Sequence, residues 1–153
     1  MADPKGFGLR DDMLRLALGF RKRLDEADGG EGLANYLFVG DLNTMGMDYP
    51  YTQHDITAES EIDELARRAR HHTKHMRVLE KNAPFTWRAG STSRLGPGNL
   101  DHVVAAEHLR FTDFGGAEVD VRGWPQEPTD ATKDAWADGF SDHALLYFEV
   151  LKV

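Results

Sequence analysis

Tyr36-Leu37-Phe38-Val39-Gly40-Asp41-Leu42-Asn43 is a short apolar run that stops at a glycine, a carboxylate and an amide. Its apolar part, Asn35 to Val39, is continuous rather than alternating, which predicts a strand covered on both faces. Two later segments place polar groups at strand ends in the reverse order. Asp101-His102 leads into Val103-Val104-Ala105-Ala106, and Ser141-Asp142-His143 leads into Ala144-Leu145-Leu146-Tyr147-Phe148-Glu149-Val150. Carboxylates, an amide and imidazoles held on strand ends can grip a divalent metal and a phosphate together. The three segments therefore predict metal-dependent phosphoester chemistry.

Working outward, Asp12 to Ala27 sets Met13, Leu16, Ala17, Phe20 and Leu24 at the three-and-four spacing of an amphipathic helix, with Asp11 or Asp12 as cap. The glycines of Asp28-Gly29-Gly30-Glu31-Gly32 stop it before the strand. Asn43 to Thr57, with Gly46 and Pro50, reads as a surface loop. A second helix is expected from Glu59 to Lys81, capped by Ser60, with Ile62, Leu65, Ala66, Ala69, Thr73, Met76 and Leu79 as its stripe. Pro84 ends it. Phe85-Thr86-Trp87 suggests a strand, Gly90 to Gly98 a loop, and Leu100 to Ala106 a strand. A short strand at Glu118 to Val121, a brief helix from Thr129 to Ala137 and a last strand from Ala144 to Val150 complete the expectation.

A chain of 153 residues, 41% of them hydrophobic, can enclose one core and bury roughly 70% of its unfolded surface. No apolar stretch approaches the roughly 20 residues of a membrane span, and Met1-Ala2-Asp3-Pro4 lacks a signal pattern. With no cysteine there is neither a disulfide framework nor a thiolate metal site, and a cytoplasmic location is the default. The net charge of -8 argues against tight nonspecific binding to nucleic acid. Positive charge gathers at Arg67-Arg68-Ala69-Arg70 with Lys74 and Arg77, a run whose ordinary use is a solvated helix face.

Each motif has two readings. Gly40-Asp41-Leu42-Asn43 is either a strand ending in an Asx turn or a pair in which Asp41 orients the attacking water and Asn43 donates to a phosphate oxygen. Ser141-Asp142-His143 is either a turn or a metal-binding carboxylate beside a catalytic imidazole. Asp101 favours the second, because a carboxylate facing His143 would fix its tautomer and raise its basicity.

The order of these motifs, with Phe85-Thr86-Trp87 ahead of Asn99-Leu100-Asp101-His102 and Ser141-Asp142-His143 before the final strand, resembles the endonuclease/exonuclease/phosphatase superfamily with its DNase I-like fold. The resemblance implies an α/β (α+β) sandwich of four α-β-β-α layers, Mg²⁺ or Mn²⁺ as cofactor, and hydrolysis of a phosphate ester by in-line water attack. It assigns Asp41 to the nucleophilic water, Asn43 to the phosphate, Asp142 to the metal, His143 to proton transfer or transition-state stabilisation, and Asp101 to holding His143. His102 is outside the implied catalytic set.

The resemblance covers nearly all of residues 1–153 but only the C-terminal half of the family's domain. The strand-borne Asn and Glu that members carry upstream have no counterpart; Glu26 and Glu31 lie on a helix end and a turn. The expectation is one partial domain, either a hydrolase or a non-catalytic, self-associating half-domain dimerising through an open sheet face. Substrates consistent with the resemblance are a nucleic acid, a nucleotide, or a phospholipid or inositol headgroup. Tyr49, Tyr51 and His54, just after Asn43, are candidate substrate contacts. His71 and His75 are four apart on the expected helix, as a shared metal or an exposed basic face, and Trp87, Trp124 and Trp136 are core residues or groove walls.

Overall fold

The computed structural model describes residues 3–30, 32, 34–48 and 55–151. It is a mixed α+β structure with antiparallel sheets. The elements run α1 (Pro4–Ala27), β1 (Leu37–Asp41), α2 (Ala58–Ala69), β2 (Met76–Val78), β3 (Asp101–Ala106), β4 (Asp120–Arg122), a 3-10 turn at Trp124–Gln126, α3 (Asp130–Gly139) and β5 (Leu145–Tyr147). No helix among the described residues is long and apolar enough to cross a membrane.

β3 is the centre. It pairs antiparallel with β1, setting Asp41 opposite Asp101, and with β2, setting Met76 opposite Ala106. β4 and β5 form a second antiparallel pair. Side chains alternate along a strand, so Val103 and Ala105 face the cluster of Leu79, Leu109, Phe111 and Val119, which reaches Leu146 and Phe148 beside the second sheet. Val104 faces the other way, onto Leu14 and Leu18 of α1 and Leu65 and Ala69 of α2. The same alternation sends Asp101 toward the second sheet and His102 toward the helices. A third cluster, Val121, Trp124 and Ala144, holds Trp136 of α3.

Several expectations are corrected. α1 begins at Pro4, not Asp12, because Asp3 accepts the Gly6 N–H at 2.7 Å and Pro4 suits the first turn. It also buries a different stripe. Leu14, Leu18, Arg21 and Asp25 face inward, while Leu9, Met13, Leu16 and Phe20 are more than half exposed. Arg21 and Asp25 tolerate burial as an ion pair whose carboxylate also accepts the Ala34 N–H at 3.0 Å. A charged pair on the core face hid that face from a reading of hydrophobic spacing.

α2 is capped by Thr57, not Ser60, and ends at Ala69 rather than Lys81. A turn follows, His75 takes a positive φ of 50°, and Met76 to Val78 pair with β3 instead. The expected strand at Phe85-Thr86-Trp87 is reduced to isolated bridges from Trp87 to Gly98 and His143. The sheet face expected to lie open for dimerisation is closed over β3, every residue of which is buried. Exposed apolar side chains include the α1 stripe and, elsewhere, Val39, Leu95, Phe140 and Leu145.

Candidate functional site

Asp41 ends β1, Asp101 begins β3 and His143 precedes β5. Among the described residues these three bring ligand atoms within 4.8 Å of one another, a grouping able to hold a metal ion. The His143 Nδ1–H donates to Asp101 Oδ2 at 2.8 Å, and its Nε2 lies 3.9 Å from Asp41 Oδ2. Burial works against the charged imidazole, but the Asp101 hydrogen bond and the charges of Asp101, Asp41 and Asp142 outweigh it and hold His143 above its ordinary pKa.

Thr86 and Trp87 align the segments that carry the trio. The fully buried Thr86 Oγ1 accepts the Leu100 and Asp101 N–H groups at 3.1 and 2.9 Å, while its carbonyl accepts the Ala144 N–H at 2.7 Å. One residue therefore fixes the start of β3 and the residue after His143. Lys81, which the sequence reading placed at a helix end, adds a second support. Its ammonium donates to Asn99 Oδ1 and, at 2.6 Å, to the Asp101 carbonyl. Burial, partly offset by the Asp101 charge, pushes it down to about 8. Sequence gave no sign of this role, since Lys81 lies 20 residues from Asp101.

Gly40-Asp41-Leu42-Asn43 ends its strand in the Asx turn. Asn43 donates its backbone N–H to Asp41 Oδ1 at 2.9 Å and its amide to Asp41 Oδ2 at 3.0 Å. Strand alternation is not what joins them. β1 stops at Asp41 and Asn43 takes φ 52°, so an Asx turn folds the amide back onto the carboxylate. The second amide N–H is left for another acceptor.

Asp142 stands outside the trio. Its exposed carboxylate accepts the Trp87 indole N–H at 2.9 Å, and its influence on His143 is through space. Tyr49, Tyr51 and His54 lie outside the described residues. A cleft of about 430 Å³ opens over the trio, walled by Asp41, Asn43, Met45, Trp87, Leu95 and His143, with no Lys or Arg in its lining. Trp87 thus borders the candidate site, whereas Trp124 and Trp136 are core residues of the α3 cluster.

His102 has a separate task. With the Thr44 hydroxyl donating to the Asn99 carbonyl at 2.6 Å, the His102 Nε2–H donates to Thr44 Oγ1 at 2.8 Å. This buried latch ties the loop after Asn43 to β3. Burial, then the Lys81 ammonium, push His102 down to about 3 against a hydrogen bond to the Asn99 carbonyl. The unfolded chain therefore takes up this proton first, near pH 6.5. Stability is full above that pH and falls as pH drops toward 3, by about 1.4 kcal/mol per unit. Unfolding free energies from urea titrations at pH 7.5 and 5 should differ by about 2 kcal/mol more in the wild type than in His102→Gln. Equal differences in the two proteins would mean that His102 titrates normally in the fold.

No family model, curated protein or solved structure matches this chain.

Proposed function

We propose that the chain carries the hydrolytic face of a metal-dependent phosphoesterase of the DNase I-like kind, acting on a small phosphate ester. The observation that carries this reading is the chain Asp101–His143–Asp41, assembled from three separate segments, with Nδ1 2.8 Å from one carboxylate and Nε2 3.9 Å from the other. A lone Asp-His pair is common in a core. A pair whose free imidazole nitrogen points toward a second carboxylate at the floor of a cleft has a proton route.

The donor set suits a hard divalent cation. Asp41 and Asp101 supply carboxylate oxygens, and Mg²⁺ or Mn²⁺ is ordinarily held by one or two carboxylates with water and substrate oxygens completing the shell. Such an ion, when bound, neutralises charge on the phosphate. Asp142 is near enough to act on the same charge. The protein's own part is proton handling and orientation. Asp41 orients and deprotonates water, Asn43 offers its free amide N–H to a phosphate oxygen, and protonated His143 donates from Nε2 as negative charge develops. Asp101 holds the other ring proton on Nδ1, which leaves Nε2 as the nitrogen that gives up and regains a proton.

The net charge of -8 and the cationless cleft favour a nucleotide or headgroup-sized ester over a long nucleic acid. The test is hydrolysis of a generic phosphodiester and a phosphomonoester with Mg²⁺ or Mn²⁺, with chelator and His143→Ala as controls. Turnover that disappears with both controls is the expected result. A second reading, a self-associating half-domain without catalysis, is favoured by the exposed Leu9, Met13, Leu16 and Phe20 of α1. Metal-independent silence in the assay, with mass rising with concentration in light scattering, would replace the first reading by the second.

A further inference from the structure

A second cavity of about 240 Å³ lies between the middle of α1 and the C-terminal end of α2. It is lined by Arg15, Leu18, Arg67, Arg68, His71 and Lys74, with no carboxylate in its lining. On a chain of net charge -8, a concavity walled by cations is a departure from the average surface. An ordinary solvated helix face does not account for it, because the side chains converge from two helices and the following turn.

The carboxylates nearby are ion-paired to the arginines and do not line the cavity. Arg15 spends Nε and Nη2 on Asp12, at 3.3 and 3.0 Å. Arg67 spends Nε and Nη2 on Glu64, at 2.7 and 2.6 Å. Arg68 gives Nε to Glu64 at 2.6 Å and Nη1 to Asp11. Each guanidinium is thereby held in place by an acid and keeps one terminal nitrogen without an acceptor among the described residues. His71 engages only Nδ1, with Thr73 Oγ1 at 3.0 Å, and the Lys74 ammonium has no acceptor among the described residues. Single terminal N–H groups on pre-held guanidiniums, with an unpaired ammonium, are cationic donors that suit a phosphoryl oxygen.

We propose that this pocket binds a phosphoryl-bearing polyanion of about diphosphate size. At about 30 Å³ per water the cavity corresponds to roughly eight waters, which excludes a duplex and fits one or two phosphoryl groups. The site is distinct from the trio. The turn bearing Lys74 leads into Met76, which pairs with Ala106, so roughly 17 Å of β3 separates it from Asp101.

The experiment is calorimetric titration of the metal-free protein, in chelator and low salt, with sodium pyrophosphate. Co-sedimentation with phosphatidylcholine vesicles containing phosphatidic acid is the second arm. Arg15→Ala/Lys74→Ala is the variant, since Arg15 is exposed and Lys74 only half-buried. Saturable binding, with amide shifts confined to residues 15–18 and 67–74 and affinity at least about tenfold weaker in the variant, is expected for a soluble ligand. Vesicle binding lost in the variant would place the same phosphoryl group on a lipid. No binding in either arm, or binding unchanged in the variant, overturns the assignment. His143→Ala should bind pyrophosphate at these amides as the wild type does, which keeps this result separate from the catalytic reading.

Discussion

His143→Ala and Asp101→Asn should each lower metal-dependent phosphodiester turnover by about 10²–10⁴-fold, the range that a positioned acid–base group supplies. The two losses have different origins. Alanine removes the proton carrier outright. Asparagine preserves shape but reverses the Nδ1 contact, because an amide N–H facing His143 requires Nδ1 to accept. The ring proton then moves to Nε2 in the neutral form, and Asp101, the main influence raising the His143 pKa, no longer acts, leaving only the charges of Asp41 and Asp142. The acid-to-base transition of the Asp101→Asn rate profile should therefore shift to lower pH, a change that general destabilisation would not produce. In steady-state kinetics kcat should fall with KM little altered, since neither group has to bind the ground-state phosphate. An Asp101→Asn enzyme within about twofold of wild type would remove Asp101 from the mechanism.

How much of this arrangement was legible in the sequence follows from how local each feature is. The strand at Asn35 to Val39, the strand into which Asp101 leads and the pairing of Asp101 with His143 were all readable, because each needs only a short apolar run and a polar residue at its end. The split between Asp101 and His102 was readable in principle from strand alternation, yet its outcome, one side chain to the site and one to a buried latch, depends on which face carries the helices. Lys81 and Thr86 were illegible as supports. Their bonds reach Asp101 across 20 and 15 residues, and nothing in a lysine or threonine advertises such a partner. The turn at His71 to His75 was missed because no Gly or Pro marks it, and the pairing of Met76 to Val78 with β3 that ends the helical stretch is a long-range contact. The wrong α1 stripe was chosen for a related reason: Met13, Leu16, Ala17, Phe20 and Leu24 form the better hydrophobic pattern, while the buried stripe contains Arg21 and Asp25.

Glu61→Ala should destabilise the fold by about 3–5 kcal/mol, the cost of orphaning a buried charge. Glu61 lies on α2 with its side chain only 7% exposed, against 11% for its partner Arg10 on α1. The Arg10 guanidinium donates to both carboxylate oxygens, at 2.7 and 2.9 Å, and Glu61 Oε2 also accepts the Gly46 N–H at 2.8 Å. Three segments meet at one carboxylate: α1, α2 and the loop that follows Asn43. Gly46 is itself fixed there, at φ 73° and with the Ile56 carbonyl so near that a Cβ would lie 2.2 Å from it. Removing the carboxylate leaves Arg10 without a counter-charge and Gly46 without an acceptor, so for a chain of this size the melting temperature should drop by about 6–20 °C. Arg10→Met/Glu61→Leu should recover much of the stability, because the charges leave together, but not the Gly46 hydrogen bond. The double variant therefore separates two contributions. Stability regained with turnover still depressed would show that the carboxylate's contact with Gly46, and through it the placement of Asn43, matters to the site. A melting temperature within about 2 °C of wild type for Glu61→Ala would mean that water reaches Arg10 and that the junction is held by the surrounding apolar contacts.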